Sequence, residues 1–155
     1  MIDEQIFIGL GSNLGDRLEN LRQACAKLST KGIITQKSNV IETAPWGVET
    51  DNNFLNQVIT IEKTVFTDPE SLMSWILETE RLIGRDRKEQ APDRVIDMDI
   101  LYIGPLVRSN SPIIPHPRLH LRRFVLEPLV EIAADFMHPV FKRTQMQLLQ
   151  ELKRS

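Results

Sequence analysis

The strongest constraint in this sequence is the order in which its hydrophobic period changes. QIFIGL (5–10) has the pattern of a strand. After the turn GSNLG, Leu18, Leu21, Cys25 and Leu28 recur at helical spacing and make one apolar face. Asp16 with Glu19 is a capping-box-like start to that helix, and Gly32 a stop. Two strand-like runs follow, IITQKSNVIETA (33–44) and FLNQVITIEKTV (54–65), on either side of the loop PWGVETDNN. A second helix opens at DPESL, with Asp68 as N-cap and Pro69 in the first turn. Leu72, Ile76, Leu82 and Ile83 form its buried face, and Gly84 ends it. The loop RDRKEQAPD leads into RVIDMDILYIG (94–104). The order βαββαβ predicts an α+β fold with a ferredoxin-like core. The C-terminal third, punctuated by prolines at 105, 112, 115, 117, 128 and 139, predicts an extension of loops and short helices. With no repeat, low-complexity run or linker, residues 1–155 are expected to act as one domain.

The last strand poses a problem. Asp97 and Asp99 stand two residues apart, so they project from the same face. Leu101 and Ile103 continue that face, and Ile96, Met98, Ile100 and Tyr102 fill the other. Two uncompensated charges on so apolar a strand are costly. A divalent cation relieves the repulsion, and paired carboxylates are a common anchor for Mg²⁺ beside phosphate oxygens and water. An exposed strand end, or pairing with arginines, relieves it equally.

The neighbouring sequence adds charge of the other sign. From Ile100 to Leu126 there is no acidic residue, but there are Arg108, Arg118, Arg122, Arg123, His116 and His120. Arg85, Arg87, Lys88 and Arg94 precede the aspartates. Guanidinium forks suit phosphate oxygens, and acids for a metal amid cations suit phosphoryl-group transfer. His116 reads as a phosphate or site-ordering contact and His120 as surface.

Other chemistries find no support. The formal net charge of −2 argues against a general nucleic-acid or membrane binder. No apolar run is long enough to span a bilayer, and no signal peptide is visible. One cysteine, Cys25, forbids an internal disulfide and fits a reduced, cytoplasmic setting. GLGSNLG lacks the Gly-Lys-Ser/Thr of a phosphate-binding P-loop, and Leu14 occupies the third-glycine position of a dinucleotide fingerprint. Gly9, Gly11 and Gly15 therefore read as turn chemistry. An RNA-binding βαββαβ module would need aromatics on its central strands, and VITIEKTV and DILYIG offer only Tyr102.

Several motifs in order, IGLGSNLGDR, ETAPWG with NFLNQV, GRDRK, DRVIDMDIL and IPHPRLHLRRFVLEPLVEIA, give the chain a wider likeness. It resembles the 6-hydroxymethyl-7,8-dihydropterin pyrophosphokinases of folate biosynthesis over nearly its whole length. The resemblance implies transfer of pyrophosphate from ATP to the pterin's hydroxymethyl group, with AMP leaving and two Mg²⁺ ions required. It makes Asp97 and Asp99 the metal ligands and Arg85, Arg94, Asp97 and Asp99 the catalytic set. It places Glu80, Arg87, Lys88, His116 and Arg122 on ATP. Thr43, Ala44, Trp46, Phe54, Asn56 and Phe124 would form the pterin site; flat rings favour aromatic faces, and Asn56 can serve a polar edge. The expected partners are those two small molecules, with no nucleic acid and no membrane, and the chain is expected to be a monomer. The sequence departs from the family where Arg-Trp-Gly-Pro-Arg usually precedes the aspartates. Here QAPDR lacks the tryptophan and sets Asp93 between Pro92 and Arg94. Arg108 is a candidate substitute for a family arginine near Ser111.

Overall fold

A computed structural model describes residues 2–85 and 92–154. Its elements are β1 (Ile6–Ser12), α1 (Arg17–Ser29), β2 (Ile33–Lys37), β3 (Ile41–Thr43), β4 (Phe54–Glu62), α2 (Pro69–Ile83), β5 (Asp97–Ile103), a 3₁₀ turn (Leu119–Leu121), α3 (Arg123–Ala133) and α4 (Gln145–Arg154). The strands form one antiparallel sheet in the order β2-β4-β1-β5, with β3 also paired to β4. This is the expected ferredoxin-like α+β core with its C-terminal helical extension. Ile6, Ile8, Ile59 and Ile61 join Leu21, Leu28, Leu72 and Ile76 in the core beneath α1 and α2. Phe7, Val58, Leu101 and Tyr102 meet Leu126, Leu129 and Leu148 of α3 and α4 on the other face. Strands covered on both faces need apolar side chains on both, which is why β1 and the edge strand β5 lack a simple inside–outside alternation.

The anticipated strand 33–44 is two strands. β2 pairs with the C-terminal half of β4 and β3 with its N-terminal half. Between them the Ser38 hydroxyl accepts from the Val58 N–H at 2.9 Å, substituting a side chain for the backbone ladder.

Both helices start where capping chemistry predicts. The Asp16 carboxylate accepts from the Glu19 N–H, although the Glu19 carboxylate pairs with Arg22 instead of returning to the cap. Asp68 and Ser71 complete a reciprocal capping box ahead of the buried Leu72. The buried faces differ in detail from the sequence reading. Leu18 is 52% exposed and Leu82 is 59% exposed. Asn20, Ala24, Thr79 and Glu80 join the buried faces in their place, Asn20 and Glu80 because hydrogen bonds satisfy their polar groups there. α1 ends before Gly32, whose missing side chain serves a close approach: a Cβ would lie 2.9 Å from the Glu62 carbonyl oxygen.

β5 begins at Asp97 and carries a bulge. Ile8 faces Ile100 and Phe7 faces Tyr102, leaving Leu101 as the extra residue. Straight alternation would put Ile103 beside Leu101 and Tyr102 on the opposite face. The bulge exchanges them: Tyr102 joins Leu101 under α3 and α4, and Ile103 returns to the α1–α2 core. Asp97 and Asp99 precede the bulge and keep their common face.

Candidate active site

The sheet face covered by α3 and α4 is left open where β1, β4 and β5 run past α3. Gly9 and Gly11, read from sequence as turn residues, lie within β1 and line this opening. A Cβ on Gly11 would sit 3.2 Å from the Asn56 side-chain oxygen, so glycine keeps the floor flat. Of the three glycines only Gly15 has the positive φ of a turn, +75°. The resulting cleft spans some 620 Å³, counting its open mouth.

One end is ionic. Asp97 and Asp99 both line the cleft, with side chains 20% and 30% exposed. Arg85 donates to Asp97 Oδ1 at 2.7 Å, and Arg94 to Oδ2 at 3.1 Å. The Arg122 guanidinium lies 3.8 Å from Asp99 Oδ2. Burial pushes the Arg122 pKa down while Asp99 and Asp97 oppose that shift. Arg94 and Arg122 line the cleft, whereas Arg85 stands behind Asp97 and also bonds Glu80 and the Ile96 carbonyl. Glu80 is 1% exposed and accepts from both Arg85 and the Met98 N–H, joining α2 to β5 beneath the site. Its geometry is that of a support for Arg85 and the aspartate strand.

The other end is aromatic and amide-lined. Thr43, Ala44, Trp46, Phe54, Asn56 and Phe124 all line the same cleft. Asn56 Nδ2 donates to Thr43 Oγ1 at 2.7 Å, which orients the amide. Trp46 and Phe124 approach edge to face at 6.4 Å. The Arg122 guanidinium lies 5.0 Å from the Trp46 ring centre and 5.7 Å from that of Phe124. Arg122 therefore joins the ionic end to the aromatic end.

The remaining sequence candidates divide. His116 is tied to β5 by its N–H on the Leu101 carbonyl, and its Nδ1 accepts from the Arg118 N–H. Burial first, then the nearby Arg122 charge, lower its pKa to about 4, so it is neutral at pH 7. It faces a neighbouring cavity shared with His120 and His138. His120, read from sequence as surface, packs edge-on against Phe141 at 4.7 Å because the 115–121 segment folds back over the C-terminal loop. Arg108 bonds Glu70 and the Ser111 carbonyl, and Arg123 bonds Glu127; neither lines the cleft. Arg87 and Lys88 lie outside the described residues. Sequence reasoning missed the cleft residues Gly9, Gly11 and Leu101, whose only signal was strand parity on β1 and β5, and Val48 and Val125, which lie in the β3–β4 loop and in α3 and carried no such signal.

The donor chemistry fits Mg²⁺. Among the described residues, no three His, Cys, Asp or Glu side chains converge as an all-protein metal cage. Two carboxylates opening onto a solvent-accessible cleft are the hard-oxygen anchor that leaves positions for water and phosphate oxygens. No described helix is long and apolar enough to cross a membrane.

Fold and cleft together define an α+β protein of the ferredoxin-like class, with one cleft that runs from an ionic end to an aromatic end. More particularly, the chain belongs to the 7,8-dihydro-6-hydroxymethylpterin-pyrophosphokinase family, whose model matches residues 7–134. It is 35% identical over 139 residues to the 2-amino-4-hydroxy-6-hydroxymethyldihydropteridine pyrophosphokinase of Aquifex aeolicus, covering 89% of this chain and 86% of that protein. The Bacillus subtilis protein of the same name is 38% identical over 129 residues, with 81% and 76% covered. The folic acid synthesis protein fol1 of Pneumocystis carinii is 37% identical over 140 residues, 89% of this chain but 19% of that longer protein. The fold matches a crystallised HPPK-DHPS in complex with substrates, with TM-score 0.78 at 12% identity over 97% of this chain and 43% of that one.

Proposed function

We propose that this chain transfers pyrophosphate from ATP to the hydroxymethyl group of 6-hydroxymethyl-7,8-dihydropterin, releasing AMP, in tetrahydrofolate biosynthesis. The observation that carries this reading is the continuity of the cleft: Asp97, Asp99, Arg94 and Arg122 at one end, the Thr43–Asn56 pair with Trp46, Phe54 and Phe124 at the other.

The hydroxymethyl oxygen attacks the β-phosphorus of ATP. A new O–P bond forms, the bond from the β-phosphorus to the oxygen bridging it to the α-phosphorus breaks, and AMP leaves with that oxygen. The hydroxyl proton passes to solvent. Asp97 and Asp99 would hold the two Mg²⁺ ions, which supply charge neutralisation on the triphosphate when bound. The chain's own part is positioning. Arg94 and Arg122 present guanidinium groups to phosphate oxygens, with Arg85 holding Asp97 in place. Asn56 and the backbone around Thr43 read the pterin's polar edge, and Trp46, Phe54 and Phe124 exclude water from its faces. Glu80 acts through Arg85, Arg87 and Lys88 complete the ATP side, and His116 orders the segment beside the triphosphate. The whole of 1–155 would work as one domain, a monomer in the cytoplasm, where the buried Cys25, its thiol pKa raised by burial, stays reduced.

The test is AMP formation from ATP and Mg²⁺ with and without the pterin, beside Asp97→Asn. Pterin-dependent AMP that vanishes in the variant supports the reading. ATP turnover indifferent to pterin would replace it with another phosphotransferase or a hydrolase.

A further inference from the structure

The residue that marks this chain's departure from the family pattern, Asp93, is the centre of a hydrogen-bond clasp. Its Oδ1 accepts from Asn13 Nδ2 at 3.0 Å and from the Thr50 hydroxyl at 2.5 Å. Its Oδ2 accepts from Asn52 Nδ2 at 2.8 Å. These donors come from two separate segments, the turn after β1 and the loop between β3 and β4. Asn13, itself only 4% exposed, closes the circle. Its side-chain oxygen accepts from the Arg94 N–H at 2.6 Å, its N–H donates to the Arg94 carbonyl at 3.0 Å, and its amide nitrogen also reaches the Asn52 carbonyl.

We propose that Asp93 is a positioning residue that locks the Trp46-bearing loop to the Arg94 backbone, so that one carboxylate fixes the aromatic end of the cleft against the ionic end. The chemistry is specific. An ionised carboxylate is acceptor-only, and all three side chains that meet Asp93 offer N–H or O–H groups. Charge-assisted bonds of this kind are the stronger ones, and here they tie loops that have no ladder of their own. Trp46 lies four residues before Thr50, so loosening the clasp frees the aromatic wall, while Arg94 stays tied by its backbone to Asn13 and by its side chain to Asp97. Asparagine at this site would keep the volume and turn one acceptor into a donor that confronts a donor. Asp93 touches neither the cleft's aspartates nor its rings, so it acts through the residues it holds.

This inference rests on the pterin reading for its kinetic consequence but not for its structural one, and the experiment separates the two. Hydrogen exchange of residues 46–53 is measured without substrate in wild type, Asp93→Asn and Thr50→Val. Exchange there should rise several-fold in both variants, with the protection of β1 and β4 unchanged. The KM for pterin should rise about fivefold in Asp93→Asn, with the KM for ATP moving less than twofold. Asp93→Ala combined with Thr50→Val should be no worse than Asp93→Ala alone, because truncation at 93 already removes the Thr50 contact. Unchanged exchange at 46–53 in both variants would overturn the clasp, as would additive effects in the double variant. Wild-type protein that makes no pterin-dependent AMP, yet shows the exchange response, would leave the clasp standing and remove the reaction.

Discussion

Each side chain in the cleft answers a chemical demand that can be tested singly. Replacing Asp99 by Asn removes a charge that faces Arg122 and one of the two carboxylates proposed to hold the metal. Under the proposed reaction its turnover should fall by about 10²-fold or more, the scale of losing one preorganised electrostatic group. Circular dichroism should remain that of the wild type, since Asp99 is not a core residue. Trp46 is 41% exposed and held mainly by Arg122 and Phe124. Trp46→Ala should weaken pterin by roughly 3- to 10-fold, from an aromatic contact of about 0.5–1.5 kcal/mol, and ATP by less. Titrating both ligands against the variant decides this, and equal losses would remove Trp46 from the ring site. The paired aspartates and the arginines around them were legible from unusual local charge, whereas the aromatic end was legible only through the family resemblance. Glu80 was legible as important but not as a buried support, because nothing in the sequence places its carboxylate under Arg85.

At the scale of elements, capping and packing carry separate energies. Asp68 closes the α2 capping box, so Asp68→Ala should cost about 1 kcal/mol in urea unfolding, with turnover little changed because the cap lies at the helix end opposite Glu80. Tyr102 on β5 and Gln145 at the start of α4 exchange hydrogen bonds at 3.2 and 2.9 Å, both fully buried. Tyr102→Phe leaves the Gln145 amide short of a partner and should cost about 1–3 kcal/mol in the same measurement. The β5 bulge explains why Tyr102 faces α4 at all. Element types and order were readable from period and caps. The split of β2 from β3 and the bulge were not, because each depends on how a strand meets its neighbour rather than on its own residues.

For the molecule as a whole, the C-terminal extension sets the response to acid. His138 is 3% exposed, and its Nδ1 accepts from the Val140 and Phe141 N–H groups. Burial and the facing His120 lower its pKa from 6.5 to about 4, and burial with the Arg122 and Arg118 charges lowers that of His116 to about 4 against the opposing pull of Asp97. Both folded values lie below the unfolded one, so between pH 6.5 and 4 the unfolded chain binds protons that the fold refuses. Stability should therefore be full above that window and fall as pH drops through it, by roughly 1–2 kcal/mol per histidine between pH 7 and 5. Urea midpoints at the two pH values test this, and His138→Asn should flatten the slope. A midpoint independent of pH in wild type would refute it.

The sequence alone determined the α+β class, the βαββαβ order, both helix starts and the identity of the paired aspartates. It could do so because periodicity, caps and unusual charge are local properties of the chain. Tertiary structure decided which face of each helix is buried, where the 115–121 segment folds, and which arginines reach the cleft. It alone revealed that Asp93, conspicuous in sequence only as an irregularity, gathers donors from positions 13, 50 and 52. Residue 13, the 50–52 loop and residue 93 are far apart along the chain, and only the pairing of β1 with β4 and β5 brings them to one end of the sheet.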